Sequence, residues 1–153
     1  PYLGPAESII RETYKELPAI LKSERIEFAT CFFEFYGPKS FAGIHVPGDD
    51  FKVVLFDVDV YKKGLMGPRD FLKTFEGRVP TAPCLYRGNP TEEFLESVRS
   101  RTLSGMTYEG VVCKGAPLKK GFPPMMFKVK SREWIEAVKS KYGHDPKKLE
   151  DLL

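Results

Sequence analysis

Histidine is scarce in this 153-residue chain, with two residues, and so are cysteine, with three, and tryptophan, with one. His45 and His144 stand far apart in sequence, each beside a turn-forming residue, which favours surface or packing roles over metal ligation. Cys31, Cys84 and Cys113 are odd in number and widely spaced. That pattern argues against a disulfide framework and suits packed thiols in a reducing, intracellular compartment, here expected to be cytoplasmic. Long apolar runs are missing as well: a stretch such as Val53 to Phe56 falls far below the roughly 18 to 20 residues that cross a bilayer, so no membrane partner is expected. No basic segment followed by an apolar core opens the chain, and there is no initiator methionine. The expectation is a chain without a secretory signal that is processed, truncated or part of a longer protein. Glycine-rich phosphate loops, a GxSxG elbow, a CxxC pair and an HExxH helix are all lacking, which sets aside the chemistries those motifs carry.

What is present is an ordinary globular composition, 42% apolar and 29% charged, sized for one domain over residues 1–153. The net charge of +3 is a mild bias toward anionic partners and permits RNA without implying it. Ile9, Ile10, Tyr14 and Leu17 recur at helical spacing, predicting a helix from Pro5 to Leu21 that Pro18 disturbs at its end. Ile26 to Tyr36 and Lys52 to Val60 read as strands, the first ended by Gly37 and Pro38. A short helix is expected over Pro68 to Phe75. Another is expected to open on Asn89 as cap, Pro90 in the first turn and Glu92 as the capping-box acid. Strands follow at Tyr108 to Lys114 and Met125 to Lys130, then a helix capped by Ser131 and a last one opened by Asp145 and Pro146. There is no internal repeat, and the mixture predicts an α+β fold.

Four segments hold residues suited to chemistry. In FFEFYG, alternation puts Glu34 on one face with Phe32 and Tyr36, while Phe33 and Phe35 point the other way. In KVVLFDVDV, the same rule puts Phe56 with Val54 and Val58, and Asp57 with Asp59 opposite; an exposed phenylalanine is a stacking shelf for a purine. In YEGVVCKG, Glu109 stands at the mouth of a strand as a possible ligand for a hard divalent cation, and Gly110 lets a ligand or a neighbouring backbone come close. In MMFKVKS, Lys128 and Lys130 share a face roughly 7 Å apart, with Phe127 and Val129 toward the core. Two such ammonium groups suit a triphosphate between them. Three of the segments also have a plain structural explanation: a solvated acid for Glu34, a core phenylalanine for Phe56, an edge strand kept soluble by lysines for Lys128 and Lys130.

The order of the four resembles the covalent nucleotidyltransferases, the superfamily of ATP-dependent RNA and DNA ligases and mRNA capping enzymes. FFEFYG is similar to motif III, VVLFDVDV to motif IIIa, EGVVCKG to motif IV and MFKVKS to motif V, and the FD pair makes the chain look most like RNA ligases. The resemblance covers Thr30 to Ala137. It implies antiparallel-rich sheets flanked by helices, with Glu34 on the ribose hydroxyls, Phe56 on the adenine and Glu109 on a catalytic Mg²⁺ or Mn²⁺. It also implies Lys128 and Lys130 on the phosphates of ATP or AMP, and Lys114 in a phosphate or structural role. The implied partners are ATP and RNA ends bearing a 5′-phosphate and a 3′-hydroxyl.

One departure is plain: no lysine here begins a KxDG or KxNG motif. The resemblance requires such a lysine to form lysyl-AMP, and places it upstream of motif III, in an amino-terminal part of the same domain expected to precede Pro1. A noncatalytic nucleotide- or RNA-binding module, a DNA ligase and a capping guanylyltransferase are the competing expectations.

Overall fold

The computed structural model describes residues 4–37, 51–117 and 122–152. In chain order the elements are α1 (Ala6–Thr13), α2 (Leu17–Ser23), β1 (Ala29–Tyr36), β2 (Lys52–Val60), β3 (Gly64–Leu65), α3 (Pro68–Phe75), α4 (Glu92–Arg99), β4 (Gly110–Pro117), β5 (Pro124–Lys130), α5 (Arg132–Tyr142) and α6 (Pro146–Leu152). Six helices with small sheets, β1-β2-β3 antiparallel and β4 beside β5, make the described chain mixed α and β, as the α+β expectation holds. Two compact units emerge: one gathers the described residues of Pro1–Gly37, Asp50–Ala82 and Lys114–Met126, the other those of Pro83–Cys113 and Phe127–Leu153. His45 lies outside the described residues.

In the first unit the helix expected from Pro5 to Leu21 is two helices. Pro18 has no N–H to offer the Tyr14 carbonyl and its ring crowds that carbonyl. The chain turns instead, Leu17 N donating to Tyr14 O at 2.9 Å, and Pro18 falls in the first turn of α2. The end of α2 explains why β1 begins at Ala29 rather than Ile26. Arg25 takes φ 57°, Arg25 N donates to Lys22 O at 3.0 Å and Ile26 N to Leu21 O at 2.9 Å. This is a Schellman closure with arginine where glycine is usual.

α1, α2 and α3 cover one face of the β1-β2 sheet. Tyr14, Leu17, Ile20, Val53, Leu55, Val58, Phe71 and Phe75 form a buried cluster there, and each large apolar side chain contributes about 2 kcal/mol. Tyr14 ties helix to sheet. Its hydroxyl accepts from Leu55 N at 3.0 Å and lies 2.9 Å from Val53 O and 2.7 Å from Pro80 O. Burial, only partly offset by the Leu55 hydrogen bond, pushes its phenol above the ordinary tyrosine range.

In the second unit α4 is capped by Thr91, whose side chain accepts from Phe94 N at 3.2 Å, and not by Asn89. Thr91 is the better placed residue because Pro90 is left outside the helix, where its missing N–H costs nothing. Arg132 of α5 grips Glu96 of α4 with two bonds of 2.6 Å, and holds that carboxylate below its ordinary range. The contribution is therefore present at neutral pH and is lost as pH falls through the depressed value.

Ser131 caps α5 as expected, accepting from Trp134 N at 3.1 Å, and its hydroxyl also donates to Tyr108 O at 2.7 Å. It is fully buried, so nothing replaces either bond if the hydroxyl is removed. Ser131→Ala is expected to lower unfolding stability by about 2 kcal/mol, a lost cap plus a stranded carbonyl. Urea titration checks this, and a change under about 0.5 kcal/mol would show that the cap is dispensable.

Candidate functional site

The first unit holds Glu34, Phe56 and Lys114. β1 and β2 pair in an antiparallel register that slips once: Phe32 faces Asp57, Phe33 faces Leu55, and Phe56 has no partner of its own. A bulge of this kind sets two consecutive residues against one on the facing strand. The consequence is visible in the core, which takes Val53 and Leu55 before the bulge and Val58 and Val60 after it. Continuous alternation, with Phe56 on the face of Val58 and Asp57 on the other, is thereby corrected. The Phe56 ring lies with Phe32, centroids 6.3 Å apart. Phe32 and Glu34 alternate with the core-facing Cys31, Phe33 and Phe35, so Glu34 shares the outward face with Phe32 as expected.

Lys114 reaches this bulge. Its Nζ is 2.8 Å from Asp57 Oδ1, donates to Phe56 O at 2.6 Å, and stands 5.2 Å from the centre of the Phe56 ring. Asp57 is buried, and a carboxylate there needs a cation or donors to offset lost hydration. In this geometry the Lys114 ammonium is held by Asp57 and the Phe56 carbonyl, which supports the structural one of the two roles weighed for it. The ammonium also faces the Phe71 ring at 5.9 Å.

The second unit holds Glu109, Lys128 and Lys130. Lys130 Nζ is 3.1 Å from Glu109 Oε1, donates to Leu152 O, and sits 3.9 Å over the Trp134 ring. Lys128 is exposed on the same strand. Val129 is buried among Phe94 and Val98, but Phe127, expected to face the core with it, is exposed. The apolar cluster that covers Val129 does not extend to Phe127. Gly110 meets the expectation of a close approach: the neighbour is the backbone of Val129 and Lys130.

Sequence reasoning missed Asp57 as the partner of Lys114, Phe32 as the neighbour of Phe56, and Trp134 as the platform under Lys130. The Asp57 signal was present, since an acid inside an apolar strand demands a cation, but alternation could not name a lysine 57 positions away. Among the described residues no three His, Cys, Asp or Glu gather into a metal cluster, so a cation at Glu109 would rest on one carboxylate, waters and ligand oxygens. Burial raises the Cys31 and Cys113 thiols above their ordinary range, while Cys84 is exposed. No helix among the described residues is long and apolar enough to cross a membrane. Compared with known proteins, the chain matches no family, no curated protein and no solved structure.

Proposed function

We propose that this chain supplies the nucleotide and metal pocket of an ATP-dependent RNA ligase-like nucleotidyltransferase. One observation supports the reading above the others: within each unit, the residues expected to serve the nucleotide lie on segments in direct contact. FFEFYG pairs with VVLFDVDV in a sheet, with Glu34 opposite Val54. Asp57 of VVLFDVDV holds Lys114 of EGVVCKG at 2.8 Å, and Glu109 of EGVVCKG holds Lys130 of MFKVKS at 3.1 Å.

In this reading Phe56 offers its ring to the adenine, and the bulge with its Lys114 anchor fixes the ring's position. Glu34, exposed on the same outward face, accepts hydrogen bonds from the ribose hydroxyls. Lys128 and Lys130 neutralise phosphate oxygens. Lys130 begins paired with Glu109, and an arriving phosphate competes for the ammonium. Glu109, a single part-exposed carboxylate, fits a Mg²⁺ or Mn²⁺ that keeps waters and phosphate oxygens in its shell; bound there, the ion would neutralise phosphate charge. The 5′-phosphate and 3′-hydroxyl of RNA are the ends to be joined. The lysine that would carry AMP is not in this sequence, and that observation favours, as a second reading, a nucleotide-binding module without covalent chemistry.

Equilibrium binding of ATP with Mg²⁺ tests the pocket. Saturable binding is expected, with ATP preferred over GTP, and Phe56→Ala is expected to weaken it by roughly tenfold or more. Preference for GTP would favour a capping-type enzyme. Absence of saturable ATP binding, or a Phe56→Ala variant that binds like the parent, would sink the reading.

A further inference from the structure

The first unit carries a second surface, on residues with no part in the nucleotide reading. An open groove of about 940 Å³ runs along α1, α2 and the start of β1, with Ile10, Leu21 and Phe33 among its apolar lining. Its charged lining is Arg11, Lys15, Lys22 and Arg25 with Glu27; Arg11 is paired with Glu7 at 2.9 Å, which leaves Lys15, Lys22 and Arg25 as the cations the groove offers a ligand. Immediately after Glu27 comes Phe28, 69% exposed, and beside it Tyr61, 64% exposed. The two rings meet edge to face, centroids 6.2 Å apart, and Tyr61 N donates to Phe28 O at 3.0 Å, so the backbone holds the pair together. Lys62 places its ammonium 5.2 Å from the centre of the Tyr61 ring, and Lys63 follows.

Exposed aromatics singly need no explanation, but a pair joined through a backbone hydrogen bond, one residue along the chain from a groove lined by cations, does. Two backbone observations point the same way. Arg25 and Lys62 both adopt a left-handed conformation, φ 57° and 62°, at turns where glycine or asparagine is the unstrained choice. Arg101 of the second unit shares this conformation, at φ 59°, so what sets Arg25 and Lys62 apart is that both flank the aromatic pair in sequence.

We infer that this groove and the Phe28–Tyr61 pair form a binding surface for single-stranded nucleic acid. The cations follow the phosphates, and unpaired bases stack on the exposed ring faces; a duplex offers neither free base faces nor a strand that fits one groove. The chemistry is shared by RNA and DNA. The surface binds with or without ATP, so it stands or falls separately from the nucleotide pocket.

Fluorescence anisotropy of the 153-residue chain with labelled single strands of roughly 12 nucleotides, RNA and DNA, in the absence of ATP, tests this. Saturable binding that weakens steeply with salt is expected. The Phe28→Ala/Tyr61→Ala double variant should lose affinity by roughly tenfold to a hundredfold with unchanged thermal unfolding, since both side chains are exposed. Tyr61→Trp, which keeps a stacking face, should bind like the parent, and Lys62→Glu should bind less tightly and with a shallower salt dependence. Lack of binding to either strand overturns the inference, as does binding indifferent to the double variant. Tighter binding of a polyglutamate peptide than of either oligonucleotide would identify the groove as a site for acidic protein segments and would also overturn it.

Discussion

Gly110→Ala is expected to lower stability by at least about 3 kcal/mol and to disorder the second unit's strand pairing, the largest effect of any single methyl group added among the described glycines. Gly110 has φ +146°, and a Cβ there would lie 2.1 Å from Val129 O, 2.8 Å from Lys130 Cα and 3.0 Å from Val129 C. All three are backbone atoms, so relief requires β4 and β5 to separate. The strands are held at this point by Ser131 N donating to Glu109 O at 2.8 Å, which leaves little slack. Against a total stability of roughly 5 to 15 kcal/mol the loss is severe. Gly77→Ala is the control: φ is +75° but nothing lies within 4 Å of its Cβ, so only the conformational cost of about 1 kcal/mol is expected. Hydrogen exchange at β5 and urea unfolding of both variants check the difference. Equal costs for the two would show that the approach of the Val129 backbone is not rigid. If Lys130 serves the proposed ATP pocket, ATP binding should weaken in Gly110→Ala as well, since Lys130 Cα is among the crowded atoms.

Asp57→Ala is expected to cost about 3 kcal/mol, and the pairing with Lys114→Met to recover most of it. The Lys114 and Asp57 side chains are 21% and 10% exposed, so removing either partner leaves a largely desolvated charge without its counter-ion. Some water still reaches the lysine, which places the cost at the lower end for broken buried pairs. A methionine in place of Lys114, combined with alanine at 57, removes both charges and keeps most of the packing against Phe56 and Phe71. A double-mutant cycle by urea unfolding should give a coupling of about 2 kcal/mol, and additive single effects would refute the pairing. Phe56 is drawn into the same experiment, since its carbonyl accepts from Lys114 at 2.6 Å. On the proposed reading of Phe56 as the adenine shelf, ATP affinity should fall in Asp57→Ala, where the ring loses its anchor, and return in the double variant only as far as methionine holds the ring.

Local signals in the sequence were enough for β2, α3 and α5, because each has its own punctuation: an alternating acid pattern, a proline opening, a serine cap. The start of β1 was read three residues early, since Ile26 is strand-like by composition but is consumed by closing α2. The two faces of β2 were legible only in part. Asp57 and Asp59 oblige Val58 and Val60 to face inward, but Val53 to Phe56 are all apolar, and no alternation can be read from four apolar residues in a row. A phase slip between Leu55 and Val58 was therefore invisible, and with it the true setting of Phe56. Contacts across long stretches of chain, Asp57 with Lys114 and Lys130 with Trp134, left only half of their signal: a charge in need of a partner, without the partner's address.

The slip in β2 also fixes what kind of change that strand can absorb. Exchanging one residue for another leaves the frame of the pleat intact. Losing the extra residue between Leu55 and Val58 would remove the bulge and leave both pairs facing inward by plain alternation, whereas a loss or gain between Val53 and Leu55, or between Val58 and Val60, would turn part of the strand toward water. Outside its bulge β2 thus behaves as a counted segment, whose length is constrained more strictly than the identity of its residues.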